Sequence, residues 1–241
     1  MSDFKKFYLE DGSYIRYKKS GSGKPLLLLH TIRNRLEYFD RVVPLLTDSY
    51  TVYALDLPGF GDSPVNRNEE YSQRYMTNAM ADFIVKNKLS KVTLAGESIG
   101  GVLCVTIAQT LPKKVNQIFV FNPYDYDTFF GEGVSRANLF ARFIIWSMSL
   151  PVVGKVSTAL ENRLILWLIF RGGVCNKKAI TYSYISLLST SIRKSSNIYH
   201  TRNVFSNFSS RPVKFPKGKL MGFSIPYRLK IMRLCQLQNH Q

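Results

Sequence analysis

The run Gly96-Glu97-Ser98-Ile99-Gly100 sets a serine between two glycines, each two positions away. The residues before it, Val92-Thr93-Leu94-Ala95, are a short apolar stretch of the kind that forms a buried strand, and residues 99–111 continue with helical character. A serine on a tight strand-to-helix turn has its hydroxyl lifted off a sheet, where it can act as a nucleophile. Such a turn needs small residues two positions before and after, because a Cβ there would hold strand and helix apart; Gly96 and Gly100 fill those places. The turn also aims the Ile99 N–H and the positive end of the helix at a reacting carbonyl, so charge developing on its oxygen is stabilised. The chemistry implied is attack by Ser98 on a carbonyl carbon. A serine hydroxyl is a poor nucleophile without a neighbouring base, and the chain offers only His30, His200 and His240.

The elements that must position these residues alternate between strand and helix. Residues 7–9 and 14–17 flank Asp11-Gly12, a hairpin turn signal. Residues 26–29 are wholly apolar, as in a strand buried on both faces. Leu36, Phe39, Val43 and Leu46 predict a helix; residues 51–55 predict a strand; Met76, Met80, Phe83 and Ile84 predict a second helix. Residues 91–95 and 115–121 complete the strands. Alternation at this interval implies a mostly parallel sheet with helices on both faces. From about residue 129 to 200 the rhythm gives way to apolar helical segments at 139–148, 160–170 and 180–188, punctuated by Pro151, Gly154 and Gly172-Gly173. The expected division is a core at 1–128, a helical insertion at 129–200 and a basic, aperiodic tail at 201–241.

Charge is distributed unevenly. All 16 carboxylates lie at or before Glu161, with 19 of the 33 Lys and Arg residues, so the excess of +17 falls almost entirely on the last third of the chain. No recognised nucleic-acid motif accompanies it, and nucleic acid is not an expected partner. Residues 227–236 mix Tyr227, Ile231 and Leu234 with Arg228, Lys230 and Arg233, a pattern that allows a membrane surface to be contacted through the tail, the alternative being a loosely held basic terminus. Gly21-Ser22-Gly23-Lys24-Pro25 is no phosphate loop, since it precedes its strand and has Pro25 where Ser or Thr is needed. Cys104, Cys175 and Cys235 are too few and scattered for a disulfide framework or a metal site. No cofactor is expected, and the absence of a leader in the first residues points to the cytoplasm.

The combination resembles the α/β-hydrolase family over roughly residues 7–122. That family places His-Gly after its third strand; here residues 26–29 run into His30-Thr31, with Thr31 in the glycine position and Ile32 next. Its Asp-x-Pro-Gly-x-Gly-x-Ser loop is present as Asp56-Leu57-Pro58-Gly59-Phe60-Gly61-Asp62-Ser63. The resemblance implies an α/β-hydrolase-like mostly parallel sheet with flanking helices and a helical lid insertion. It implies that the Ile32 or Thr31 N–H is the second oxyanion donor beside Ile99, and that His30 supports that loop. It further implies a triad in the order serine, acid, histidine. No carboxylate follows Glu161, so Asp125, after the sixth strand, is the acid candidate, with a loop or helix-capping role as its alternative. His200, ending the insertion, is the candidate base, with lid packing as its alternative; His240 matches the family order but lacks a strand to position it. The family would continue with two more strands, which residues 211–241 do not show, so the C-terminal strands are expected to be missing and the edge at 115–121 bare. Two readings follow: a serine hydrolase of the esterase or lipase type acting on a small hydrophobic ester or acyl substrate, or a catalytically inactive relative that binds without turnover or is a truncated gene product.

Overall fold

The computed structural model describes residues 4–121 and 181–193 and, singly, residues 139, 143, 152, 156, 164 and 167. The expectations for Asp125, His200, His240, most of the helical insertion and the tail therefore fall outside the described residues.

Six strands form one sheet in the order β1-β2-β4-β3-β5-β6. They are β1 (Phe4–Tyr8), β2 (Tyr14–Ser20), β3 (Lys24–Leu29), β4 (Tyr50–Leu55), β5 (Val92–Glu97) and β6 (Val115–Phe121). The first two form the hairpin expected around Asp11-Gly12, and β2 pairs antiparallel with β4. From β4 onward every pairing is parallel. Parallel strands need crossovers, and α1 (Gln73–Lys86) and α2 (Ile99–Thr110) supply two of them.

The apolar run in β3 is explained by burial on both faces. Leu27 and Leu29 pack with Leu55, Leu94 and the α1 residues Met76, Met80 and Phe83, while Leu26 and Leu28 pack with Val52, Leu36, Phe39 and Val43. Successive side chains of a strand point to opposite faces, so a strand covered on both sides can afford no polar alternation. Helix α1 buries Met76, Ala79, Met80 and Phe83, the three- and four-residue spacing of one face, and starts at Ser72, whose Oγ accepts the Tyr75 N–H at 3.2 Å. Helix α2 is buried almost all round, facing α1 with one side and β6 with Val102 and Val105.

One expected element differs. Residues 36–46 form two short 3-10 turns, Leu36–Phe39 and Val43–Leu45, and not a helix. Pro44 has no N–H to donate and its ring opposes the carbonyl one turn back, so the apolar spacing is kept for burial without a continuous helix to carry it. Where residues 180–188 predict a helical segment, α3 (Tyr182–Arg193) is helical. No helix among the described residues is long and apolar enough to cross a membrane. Among the described residues β6 ends the sheet, with Phe119 and Phe121 42% and 51% exposed.

Beneath the loops that follow β3 and β4 lies a cluster of buried charge. Arg16 on β2 pairs with Asp56 through Nε, with Glu37 through Nη2 at 2.9 Å and with Asp62 through Nη1 at 2.8 Å. Arg35 pairs with Glu37 at 2.6 Å and Asp62 at 2.7 Å. Asp56 also accepts the Leu36 N–H at 2.7 Å and the Asp62 N–H at 2.9 Å, so both its oxygens face donors. Burial pushes the Glu37 carboxyl up, but the hydrogen bond from Arg35 and the charges of Arg16 and Arg35 outweigh it and hold it below the usual glutamate range. The cluster clamps three separate segments of chain together. Arg16→Met should cost about 3–5 kcal/mol, because the fully buried Asp56, whose charged form burial already disfavours, loses the guanidinium that opposes this. Urea midpoints measure this; a change under about 1 kcal/mol would show that the cluster carries no such weight.

Candidate active site

The strand order fixes where a ligand can sit. From β3 the chain goes to β4 on one side, and after α1 it returns to β5 on the other side of β3. The loops leaving β3 and β5 therefore diverge, and the crevice between them at the carboxyl ends of the strands is the ligand site of open α/β sheets. His30 and Ser98 begin those two loops.

Ser98 stands between β5 and α2 with φ 54° and ψ −117°. This is a left-handed conformation that a side chain adopts only at a cost of order 1–3 kcal/mol, so the surrounding structure must impose it. The Ser98 N–H donates to the Phe121 carbonyl at 3.0 Å, and its own carbonyl accepts the Val102 N–H at 3.1 Å, locking the turn to β6 on one side and α2 on the other. The side chain is half-buried. Strand and helix approach closely: a Cβ on Gly96 would strike the backbone of Gly100, and one on Gly100 would strike the Leu29 carbonyl and lie 2.8 Å from the His30 oxygen. The first turn of α2 thus abuts the end of β3, bringing Ile99 beside the loop that holds Thr31 and Ile32. As the first residue of α2, Ile99 has an N–H with no intrahelical acceptor.

His30 is completely buried. The Leu57 N–H donates to its Nε2 at 3.0 Å, so the proton sits on Nδ1, which donates to the Thr31 carbonyl at 2.7 Å. Phe60 meets the ring edge-on at 5.8 Å. Burial lowers its pKa from 6.5 to about 4, so it is neutral across ordinary pH. With both nitrogens committed, His30 joins the β3 loop to the Asp56–Ser63 loop and is not available to Ser98. The loop after it closes on itself: the Asn34 N–H donates to the Thr31 carbonyl at 3.3 Å, and Arg33 takes a left-handed φ of 61°.

Two hydrogen bonds form the rim. The Tyr38 hydroxyl donates to Glu97, the residue before Ser98, at 2.7 Å. The Tyr184 hydroxyl, from α3, donates to Asn34 Oδ1 at 3.0 Å. Burial pushes the Tyr184 phenol up to about 12, and burial together with the Glu97 carboxylate raises that of Tyr38, so both stay protonated donors. Helix α3 is therefore tied to the loop that begins at His30.

Of the residues singled out from sequence, Gly96, Ser98, Ile99 and Gly100 lie at the junction of β5 and α2, and Thr31 and Ile32 in the loop after β3 that this junction abuts; Asp125 and His200 lie outside the described residues. Among the described residues no group of side chains could hold a metal ion. Sequence reasoning missed Asn34, Tyr38, Tyr184 and the Arg16–Arg35 charge cluster. The positions of these residues follow no local period, and their partners are up to 150 residues away in the chain, as Tyr184 is from Asn34.

Comparison with known proteins agrees with this geometry. The α/β-hydrolase fold family matches residues 24–143. The chain is 29% identical over 104 residues to the pimeloyl-[acyl-carrier protein] methyl ester esterase of Aeromonas hydrophila, covering 43% of this chain and 39% of that protein. It is 26% identical over 150 residues to abhydrolase domain-containing protein abhd-5.2 of Caenorhabditis elegans, covering 58% of this chain and 34% of that one. The matches thus span well under half of these relatives' length. Among solved structures, epoxide hydrolase CorEH superposes with a TM-score of 0.75 at 19% identity, over 87% of this chain and 74% of that one. Cfl2 of Burkholderia cenocepacia gives 0.73 at 17% identity, over 85% and 71%. These two likenesses concern the fold. The chain belongs to the α/β-hydrolase family.

Gly100→Ala should destabilise the protein by about 1–3 kcal/mol, since the added carbon meets backbone that cannot move aside; thermal unfolding measures it. For His30 the sign is set by its lowered pKa. Between pH 6.5 and about 4 the unfolded chain binds a proton that the folded protein does not, so stability falls as pH falls, by up to about 3 kcal/mol. Urea unfolding of wild type and His30→Gln from pH 7 to 4.5 should show the steeper slope in wild type alone; parallel slopes would show that His30 titrates freely.

Proposed function

We propose that this chain is a serine hydrolase of the esterase or lipase type, with Ser98 as nucleophile and a small hydrophobic ester or acyl compound as substrate. The observation that carries the reading is the left-handed φ of Ser98 between β5 and α2, a strained conformation held by close strand–helix packing at the strand-to-helix turn. In this reading Ser98 Oγ bonds to the carbonyl carbon, and the alcohol leaves with the serine's proton. Water then cleaves the acyl-enzyme, releasing the acid and restoring the hydroxyl. The N–H of Ile99, with that of Ile32 or Thr31, holds the oxyanion. A serine at this position argues against the chemistry of relatives that use an aspartate there. The ester class is supported by the methyl ester esterase among the similar proteins.

The base must come from a histidine other than His30, whose nitrogens are both engaged. We assign it to His200, oriented by Asp125. The basic stretch after Glu161, with +14 and no carboxylate, favours contact with an anionic membrane surface, where hydrophobic esters collect. The cytoplasm is the compartment this reading assumes.

A fluorophosphonate probe should label the wild-type protein and leave Ser98→Ala unlabelled. His200→Ala should slow labelling by orders of magnitude, on the scale of the roughly million-fold that loss of a triad member costs, while His240→Ala should not. Folded wild-type protein that takes up no probe would instead identify an inactive, binding relative.

A further inference from the structure

The loop after β3 contains a donor that the chain does not use. Asn34 is 2% exposed, and its Nδ2 has no hydrogen-bond partner in the structure. Its Oδ1, by contrast, accepts two hydrogen bonds, from the Arg35 N–H at 2.9 Å and from the Tyr184 hydroxyl at 3.0 Å. The orientation of the amide is not open to exchange: the Arg35 N–H can only donate, so the oxygen must face it and the NH2 must face the other way. Buried polar groups are nearly always satisfied, and one left unpaired costs stability, so an orphan donor points to a missing acceptor.

Its place in the fold says what the acceptor is. Asn34 lies four residues after His30, in the turn that carries the Thr31 and Ile32 amides, and its own N–H closes that turn on the Thr31 carbonyl. The start of this loop abuts the first turn of α2 beside Ser98. Tyr184 holds the amide from α3, and Tyr184 in turn lies within electrostatic reach of Glu97, the neighbour of Ser98. We infer that the Asn34 NH2 is a specificity-determining donor for a second oxygen of the substrate, one carried on the acyl chain close to the scissile carbonyl, so that oxygenated acyl esters are bound in preference to plain alkanoyl esters. This rests on the ester-hydrolase reading above.

The test is equilibrium binding of methyl octanoate and methyl 3-oxooctanoate to the full chain carrying Ser98→Ala, which cannot turn either over. With Asn34 present the oxo-ester should bind about tenfold more tightly, equivalent to about 1.4 kcal/mol. Adding Asn34→Asp keeps the acceptor for Arg35 and Tyr184 and replaces the donor by a second acceptor; the preference should vanish or reverse. Adding Tyr184→Phe removes the tie to α3 and leaves the NH2, so the preference should remain, which a purely structural role for Asn34 does not predict. If Asn34→Asp does not fold, the side-chain amide of Asn34 followed by nitrogen-15 NMR in the Ser98→Ala protein should shift with the oxo-ester and not with the plain ester. Equal affinity for the two esters, including no binding of either, a preference that survives Asn34→Asp, or equal amide shifts would overturn the inference. Because binding here needs no nucleophile, such a result leaves the fluorophosphonate experiment to decide the hydrolase reading separately.

Discussion

Strand β5 and helix α2 meet at a distance that a Cβ at residue 96 would forbid, α2 meets the end of β3 at one that a Cβ at residue 100 would forbid, and the rest of the site depends on these approaches. Only because the two backbones touch does the chain reverse within one residue, which forces Ser98 to φ 54°. The same contact presses α2 against the end of β3 and so places the free N–H of Ile99 next to the Thr31–Ile32 loop. Strain at one residue and proximity between two loops are thus a single geometric fact. The hydrogen bond from Ser98 to Phe121 and the burial of α2 on nearly all sides supply the packing that holds it.

A second layer fixes the opposite wall of the crevice. His30, neutral and bonded through both nitrogens, joins the β3 loop to the loop after β4, and the charge cluster of Arg16, Arg35, Glu37, Asp56 and Asp62 clamps the same two loops to β2. Burying five ionisable groups is unfavourable unless each is paired, and here every carboxylate meets a guanidinium. What the arrangement gains is definition: the loops have one arrangement in which the guanidiniums of Arg16 and Arg35 meet all three carboxylates. Asn34 Nδ2 stands out against this background, because it belongs to the same loop and is a buried side-chain donor with no hydrogen-bond partner.

The core elements were legible where a local rule sufficed. The apolar run of β3, the Asp11-Gly12 hairpin, the one-sided spacing of α1 and the glycine-flanked serine all read correctly because each depends on neighbours within a few residues. The helix expected over residues 36–46 did not form, since its apolar spacing reflects what packs on the sheet and Pro44 decides the backbone. The family resemblance implied a supporting role for His30; its tautomer required Leu57, 27 residues away, and its loss of basicity required complete burial.

The sequence by itself determined the order of strands and helices, the turn at Ser98 and the family, because periodicity, glycine placement and short motifs act over distances the chain spells out. Only the tertiary structure decided which polar groups meet. Arg16 reaches Asp56, Tyr38 reaches Glu97 and Tyr184 reaches Asn34 across 40, 59 and 150 residues. Such pairs arise from the way a parallel sheet returns its strand ends to one side, and no local pattern encodes which side chains will arrive there together.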